Sequence, residues 1–459
     1  MTTVALLSCT KSKKTYRCKA KEMYSKSPRF RLAYTYASLI ADEIYILSAK
    51  HGLLTADQEI DPYDETLNDK TSQERLNWKD KVLDTLGSVS VVDRDDYILI
   101  AGQNYYEHLL PRIKRFWLPL RGKRLFEWAP ELERLLKLER TSDPVEALHL
   151  LFNGLPRLDW TTINIIPYSD GIYIMFEEGE IYQGMNRIVR VGTHRSQGRL
   201  KRRLMDHFVS ENADGSIFRK NIGRAFLNKY QDPYLEAWEI NLSKTGNRKR
   251  YAHTIDEQRE DELESRVTRY LRENISYTCL QVDEGKERLR LEEGIIATLN
   301  RGPSFKPSNT WLGSSNPVAD LAGSGLWNRE GLDGRPLTDY ELKRIIWLSR
   351  FGNDYYQFRN HQSSPKKVSV EKPVNPESMV PKTADDIRLY LDEVLQEAKN
   401  SGAEYIDLVS GSIHKRVGLK NRMPQVCGIM YKMMLPGDEV LHSTPSGHAN
   451  DKNQVLSSQ

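Results

Sequence analysis

The sequence predicts a multidomain α/β protein, and three observations carry that prediction. Its 459 residues exceed what one hydrophobic core ordinarily organises, so about two to four domains are expected. Short apolar runs of strand length, "TVALLSC", "EIYILSA" and "DYILIAG", alternate with helix-period segments such as "SPRFRLAYTYASLIAD". Farther along, hairpin-like strands give way to a basic helix and a charged helix, "DEQREDELESRVTRYLRE".

The alternating strands and helices of residues 1–150 predict an α/β domain built on a mostly parallel sheet. Residues 155–350 read as a second, α+β domain. "HQSSPKKVSVEKPVNPESMVPKTADD" is rich in Pro, Ser and Lys and lacks an apolar period, which marks a linker at 361–385. Residues 386–459 then form a small module that opens with an amphipathic helix, "ADDIRLYLDEVLQEAKNSG", stopped by glycine.

A formal charge of +4, with 28% charged and 39% hydrophobic residues, is ordinary for a globular protein, so the placement of charge matters more than its sum. Cys9, Cys18, Cys279 and Cys427 form no CxxC pair, which argues against a zinc knuckle or a disulfide framework and for a reducing compartment. The N-terminus has its basic cluster after a short apolar run, the reverse of a secretory signal, and no stretch reaches membrane-span length. A cytoplasmic protein without membrane contact is expected; its oligomeric state is open, a homodimer included.

Chemistry concentrates in "GIYIMFEEGEIYQGMNRIVRVGTHRSQGRLKRRLMDH". Two strands that set a tyrosine and a glycine-ended turn beside an arginine-rich helix create a concave site with a phenol, close backbone approach and fixed positive charge. Such a site suits a phosphodiester, whose hydrolysis needs an orienting group for water, a cation for developing charge and a carboxylate for a divalent metal. Between Arg187 and Lys229 there are eleven Lys or Arg against three Asp or Glu. The carboxylate appears later, in "RLRLEEGIIATLN", where Glu292 precedes the apolar stripe of Ile295, Ile296 and Leu299.

With "GPSFKPSNTWLGSSNP" and "SGLWN" following, this order of motifs resembles the GIY-YIG endonuclease family. Gly171, Ile172 and Tyr173 match its first motif, and Arg190, Val191 and Gly192 stand in the place of the second, with Arg190 where the family usually has tyrosine. The resemblance implies that Arg203 is the catalytic arginine, with Arg202 and Arg199 as alternatives, and that Glu292 is the ligand of one Mg²⁺ or Mn²⁺. It also implies Asn309 as the late polar residue, with Asn316 as the alternative. His207 lies one helix turn beyond Arg203, and either it or His194 is expected to share the role of base. Arg199, Arg202, Arg219 and Lys220 are expected to contact DNA phosphates.

At the N-terminus, Lys11, Ser48, His51, Asp61, Asp64 and Tyr105 follow predicted strands or lie in the next loops, where an open sheet gathers ligand-binding groups. Tyr24 and Tyr63 add stacking surfaces. This region resembles an uncharacterised bacterial family distantly similar to YaaA and archaeosine-synthase modules of uracil-DNA-glycosylase-like fold, which implies base or nucleotide recognition. In the C-terminal module, His414, Lys415, Arg416, Lys420, Asn421 and Arg422 surround a helix start, a pattern that suits a winged-helix-like DNA-binding module and resembles those of restriction-type proteins.

Together these readings predict a Mg²⁺-dependent or Mn²⁺-dependent DNA endonuclease of restriction or phage-defence type, acting on modified DNA. Two rivals stand beside it: a base-excision or repair enzyme with a glycosylase-like N-terminal domain, and a nonenzymatic DNA-binding regulator.

Overall fold

A computed structural model of the chain describes residues 2–352, together with Leu391 and residues 406–409, 429–430, 439–442 and 455–458. The chain divides into two compact units, Met1–Pro365 and Lys366–Gln459.

The first unit begins with a five-stranded sheet. Its strands are β1 (Thr3–Ser8), β2 (Glu43–Ser48), β3 (Gly52–Thr55), β4 (Asp96–Ile100) and β5 (Phe116–Trp117), in the order β3-β2-β1-β4-β5. Parallel pairing joins β2, β1, β4 and β5, while β3 folds back antiparallel on β2. Helices α1 (Pro28–Ile40) and α2 (Ser72–Val89) are started by local chemistry. Ser27 caps α1 ahead of Pro28, and Thr71 and Glu74 form a reciprocal capping box on α2. Because the chain leaves β1 toward β2 on one side and reaches β4 on the other, the carboxyl ends of these strands open a crevice.

Helices α3 (Trp128–Arg140) and α4 (Pro144–Asn153) lead into the central region. Val145, Leu148, Leu151 and Phe152 of α4 pack in one core with Ile172 and Leu291. Its strands β6 (Gly171–Tyr182), β7 (Met185–Gly192) and β8 (Ile275–Gln281) form an antiparallel sheet, order β8-β6-β7. Gln183 and Gly184, both at positive φ (49° and 78°), make the tight turn between β6 and β7.

Alternation along β6 divides the core. Ile172, Ile174 and Phe176 face α4 and α8 (Gly285–Asn300), whereas Tyr173 and Met175 face α5 (Leu200–Phe208), α6 (Ile217–Lys229) and α7 (Glu257–Asn274). Helix α9 (Asp339–Phe351) returns to the first sheet, where Trp347 Nε1 donates to Asp96 at 3.2 Å and Arg350 lies 4.9 Å from the centre of the Trp117 ring.

In the second unit, β9 (Ile406–Val409), β10 (Glu439–His442) and β11 (Val455–Ser458) form an antiparallel sheet in the order β9-β11-β10. The expected linker at 361–385 and the basic residues His414, Lys415, Arg416, Lys420, Asn421 and Arg422 lie outside the described residues, as does most of the winged-helix-like module. Among the described residues, no helix is long and apolar enough to cross a membrane.

Candidate active site

Both motif glycines are sterically required. A Cβ on Gly171 would lie 2.4 Å from the Leu280 carbonyl oxygen on β8. Tyr173 pairs across the sheet with Gly192, and a Cβ there would fall 2.2 Å from the tyrosine hydroxyl. The glycine that ends β7 thus provides the floor on which the Tyr173 ring lies.

A cavity of about 940 Å³ opens over that ring. Tyr173, Arg190, Thr193, Arg199, Arg203, Glu292 and Glu330 all line it. Tyr173 is 1% exposed, and its hydroxyl hydrogen-bonds His207 Nε2 at 2.7 Å. His207 Nδ1 in turn meets Ser216 Oγ at 2.7 Å. Ser216 is the cap of α6, its hydroxyl also accepting from the Arg219 amide. Burial, together with the charges of Arg190, Arg203 and Arg219, holds His207 well below the usual histidine range, so this imidazole is neutral.

His194 is also committed. Nδ1 bonds the Ser196 carbonyl at 2.7 Å, and Nε2 accepts the Gly171 amide at 3.3 Å. Burial lowers its pKa as well. With both ring nitrogens occupied, His194 shapes the loop after β7 instead of serving as the expected base.

Arg190 is buried beside Tyr173. Its Nη1 donates to the Trp327 carbonyl at 2.7 Å, its guanidinium carbon lies 4.7 Å from the centre of the Phe218 ring, and Nε is buried without a hydrogen-bond partner. Burial lowers its pKa, opposed by the neighbouring Tyr173 hydroxyl. Arg203 reaches the same cavity, with Nη1 donating to the Gly215 carbonyl at 3.2 Å.

Glu292 projects from α8, and its Oε1 accepts the Thr193 amide at 3.1 Å. Burial pushes its pKa up to about 7 against the pull of Arg190, with Glu330 adding to the rise. A carboxylate so disfavoured, beside a second one, fits a hard divalent cation, which would relieve both desolvation and repulsion. Among the described residues no group of three or more His, Cys, Asp or Glu could hold a metal, so Glu292 would be the anchoring ligand, with water and phosphate oxygens completing the shell.

Glu330 and Asn328 were not among the residues expected here. Buried Glu177 accepts from Trp311 Nε1 at 3.0 Å and Trp327 Nε1 at 2.8 Å, drawing both tryptophan-containing loops onto the sheet. Asn328 then forms a pair of hydrogen bonds with the Val191 backbone, at 3.0 and 2.8 Å, which places Glu330 at the cavity. The "SGLWN" motif was the available signal for Asn328; nothing in the sequence singled out Glu330 or Ser216.

Several expectations are corrected. Asn309 is exposed and does not line the cavity, and Asn316 is buried in bonds to the backbone of Asn221 and Val318. Arg219 is fully buried, its guanidinium gripping Glu264 at 2.5 and 3.1 Å and Thr268 at 2.8 Å, so it cannot meet a phosphate. Lys220 is likewise consumed by Asp214 at 2.9 Å under the Trp238 ring. Arg202 is exposed and pairs with Asp206 at 3.0 Å; Arg199 remains exposed on the cavity rim.

In the N-terminal crevice, Tyr63 hydroxyl bonds those of Tyr24 and Ser48, each at 2.8 Å, and Cys9 Sγ meets Tyr105 hydroxyl at 3.2 Å. His51 packs its ring on Tyr63 at 5.3 Å, and its buried Nε2 has no hydrogen-bond partner. Ser48 and His51 therefore both meet Tyr63, while Tyr105 meets Cys9. Lys11, Asp61 and Asp64 do not join them: all three are exposed, with Asp61 4.0 Å from Arg17, because the loops carrying them run out into solvent.

A buried tyrosine, arginines and a desolvated carboxylate thus surround one cavity on an antiparallel hairpin. Residues 133–343 match the GIY-YIG domain, which implies a nuclease acting on DNA, and residues 4–133 match a family of unknown function (DUF6884). No curated protein and no solved structure matches the chain.

Proposed function

We propose that the protein is a divalent-metal-dependent DNA endonuclease of restriction or phage-defence type, working in the cytoplasm. The observation that carries this reading is the convergence of Tyr173, Arg203 and Glu292 on one cavity, from β6, α5 and α8. In it, neutral His207 directs its Nδ1–H at Ser216 and accepts the Tyr173 proton at Nε2, leaving phenol lone pairs free to receive a hydrogen bond from the attacking water. The water oxygen bonds phosphorus in line while the bond to the leaving oxygen breaks, the water's proton passing to solvent and a solvent proton reaching the leaving oxygen, and Arg203 and Arg190 neutralise the charge that accumulates on the phosphoryl oxygens. Glu292 would hold a Mg²⁺ or Mn²⁺ ion, whose Lewis acidity would help stabilise that charge.

The test is incubation of the purified chain with modified and unmodified phage DNA, with Mg²⁺ and with chelator. Strand cleavage that requires the metal and disappears in Glu292→Gln is expected. Wild-type cutting by Glu292→Gln overturns the reading.

The crevice of the first sheet supports a role in choosing the DNA. Half-buried Tyr63 and Tyr105, with the unpartnered His51 nitrogen, offer stacking and one hydrogen bond to an extruded base. His51→Ala should erase discrimination between modified and unmodified DNA while cleavage of a permissive substrate persists. Free base released by Glu292→Gln protein would favour the base-excision reading instead.

A further inference from the structure

Residues Lys244–Arg250, "KTGNRKR", hold four cations and no acidic residue in seven positions, and Lys244, Arg248, Lys249 and Arg250 are all exposed. Among the described residues, the only ion pair these cations make is Arg248 with Glu257 at 3.5 Å, both side chains more than half exposed. Such a run is usually a solvated loop. The base of this one is anchored next to residues that hold the active site.

Its base is held by Asp214, whose side chain is 8% exposed. One carboxylate oxygen accepts the amides of Leu242 and Ser243 at 2.5 and 3.3 Å, while the other pairs with Lys220 at 2.9 Å. Asn241 accepts the Ser243 and Lys244 amides at 3.0 and 3.1 Å, and Asn247 bonds back to the Asn241 carbonyl at 2.8 Å. Gly246, at φ 88°, turns the chain between them. Consecutive residues share the work: Asp214 mounts the loop, the Gly215 carbonyl receives Arg203, and Ser216 receives His207. The base of the loop and the catalytic groups thus hang from one short segment, residues 214–216, of which Gly215 lines a cavity whose rim carries exposed Arg195, Arg199 and Arg329.

We propose that residues 244–250 form a fixed basic arm that grips the phosphates of duplex DNA flanking the bond to be cut. The inference rests on the nuclease reading of the cavity. Charge complementarity and the anchor shared with the catalytic groups at residues 214–216 select a polyanion that extends beyond the site itself.

The test compares full-length wild type with the triple variant Arg248→Gln, Lys249→Gln, Arg250→Gln, measuring duplex binding across salt concentrations and single-turnover cleavage at saturating DNA. The expected result is a salt slope shallower by about two to three log-log units, binding weaker by about tenfold or more, and an unchanged cleavage rate once DNA is bound. A salt slope and affinity equal to wild type overturn the arm, as does an equal slope with slowed cleavage. If wild type binds duplex DNA yet never cuts it, the nuclease reading fails separately, and the slope difference still decides the arm.

Discussion

Gly192 and Tyr173 face each other across β6 and β7 so closely that a methyl group on the glycine would lie 2.2 Å from the tyrosine hydroxyl. The motif glycine is therefore a spatial requirement of the phenol. Gly192→Ala should displace the ring, cost about 1–3 kcal/mol in stability and reduce cleavage sharply while DNA binding is retained. Chemical denaturation with parallel binding and cleavage assays checks this, and wild-type cleavage by Gly192→Ala contradicts it.

Arg203 and Arg219 lie in the same basic stretch but should behave oppositely. Arg203→Ala is expected to lower the cleavage rate by about two orders of magnitude with stability within about 0.5 kcal/mol of wild type. Arg219→Ala strands Glu264 in the core and should cost about 3–5 kcal/mol. Urea unfolding of both variants separates the two roles; comparable stability losses would refute the distinction.

Ser216 acts through His207, so its removal should disturb rate more than substrate binding. Ser216→Ala should lower kcat with KM for DNA unchanged and lose about 1 kcal/mol with the helix cap. Ser216→Thr, which keeps the hydroxyl, should restore both. A loss of stability without any change in kcat would reduce Ser216 to a cap alone.

Glu292 gives the site a pH signature. Its folded value, about 7, lies above the ordinary glutamate range, so folding favours the protonated form. That stabilisation is complete at low pH and is lost as pH rises through about 7. In chelator, Glu292→Gln should therefore gain thermal stability relative to wild type between about pH 5 and pH 8. Divalent-metal affinity of the wild type should climb over the same interval, since the ligand is the carboxylate. Melting curves of the two metal-free proteins that stay parallel across this range would contradict the assignment.

Much of the site could be read from the sequence because its key relations are local. Strand alternation puts Gly171 and Tyr173 on one face, a tight turn brings Gly192 opposite, and a helix turn separates Arg203 from His207. Glu292 was visible because it begins an apolar stripe on a helix. The parallel sheet of residues 3–117 was likewise written in short apolar runs whose ends must meet in one crevice.

Tertiary structure decided what those side chains are free to do. Arg203 and Arg219 look alike in sequence, and only Glu264, 45 positions beyond Arg219, makes one structural while the other faces the cavity. Asn309 and Asn316 were the residues the sequence offered, but Glu177 drew Trp327 onto the sheet and carried Asn328 to β7 instead. Ser48 and His51 entered the crevice while Lys11, Asp61 and Asp64 stayed in water. Spacing along the chain sets the face of a helix or strand on which a residue stands, but burial and charge pairing depend on the distant segment that packs over that face, and no local period records it.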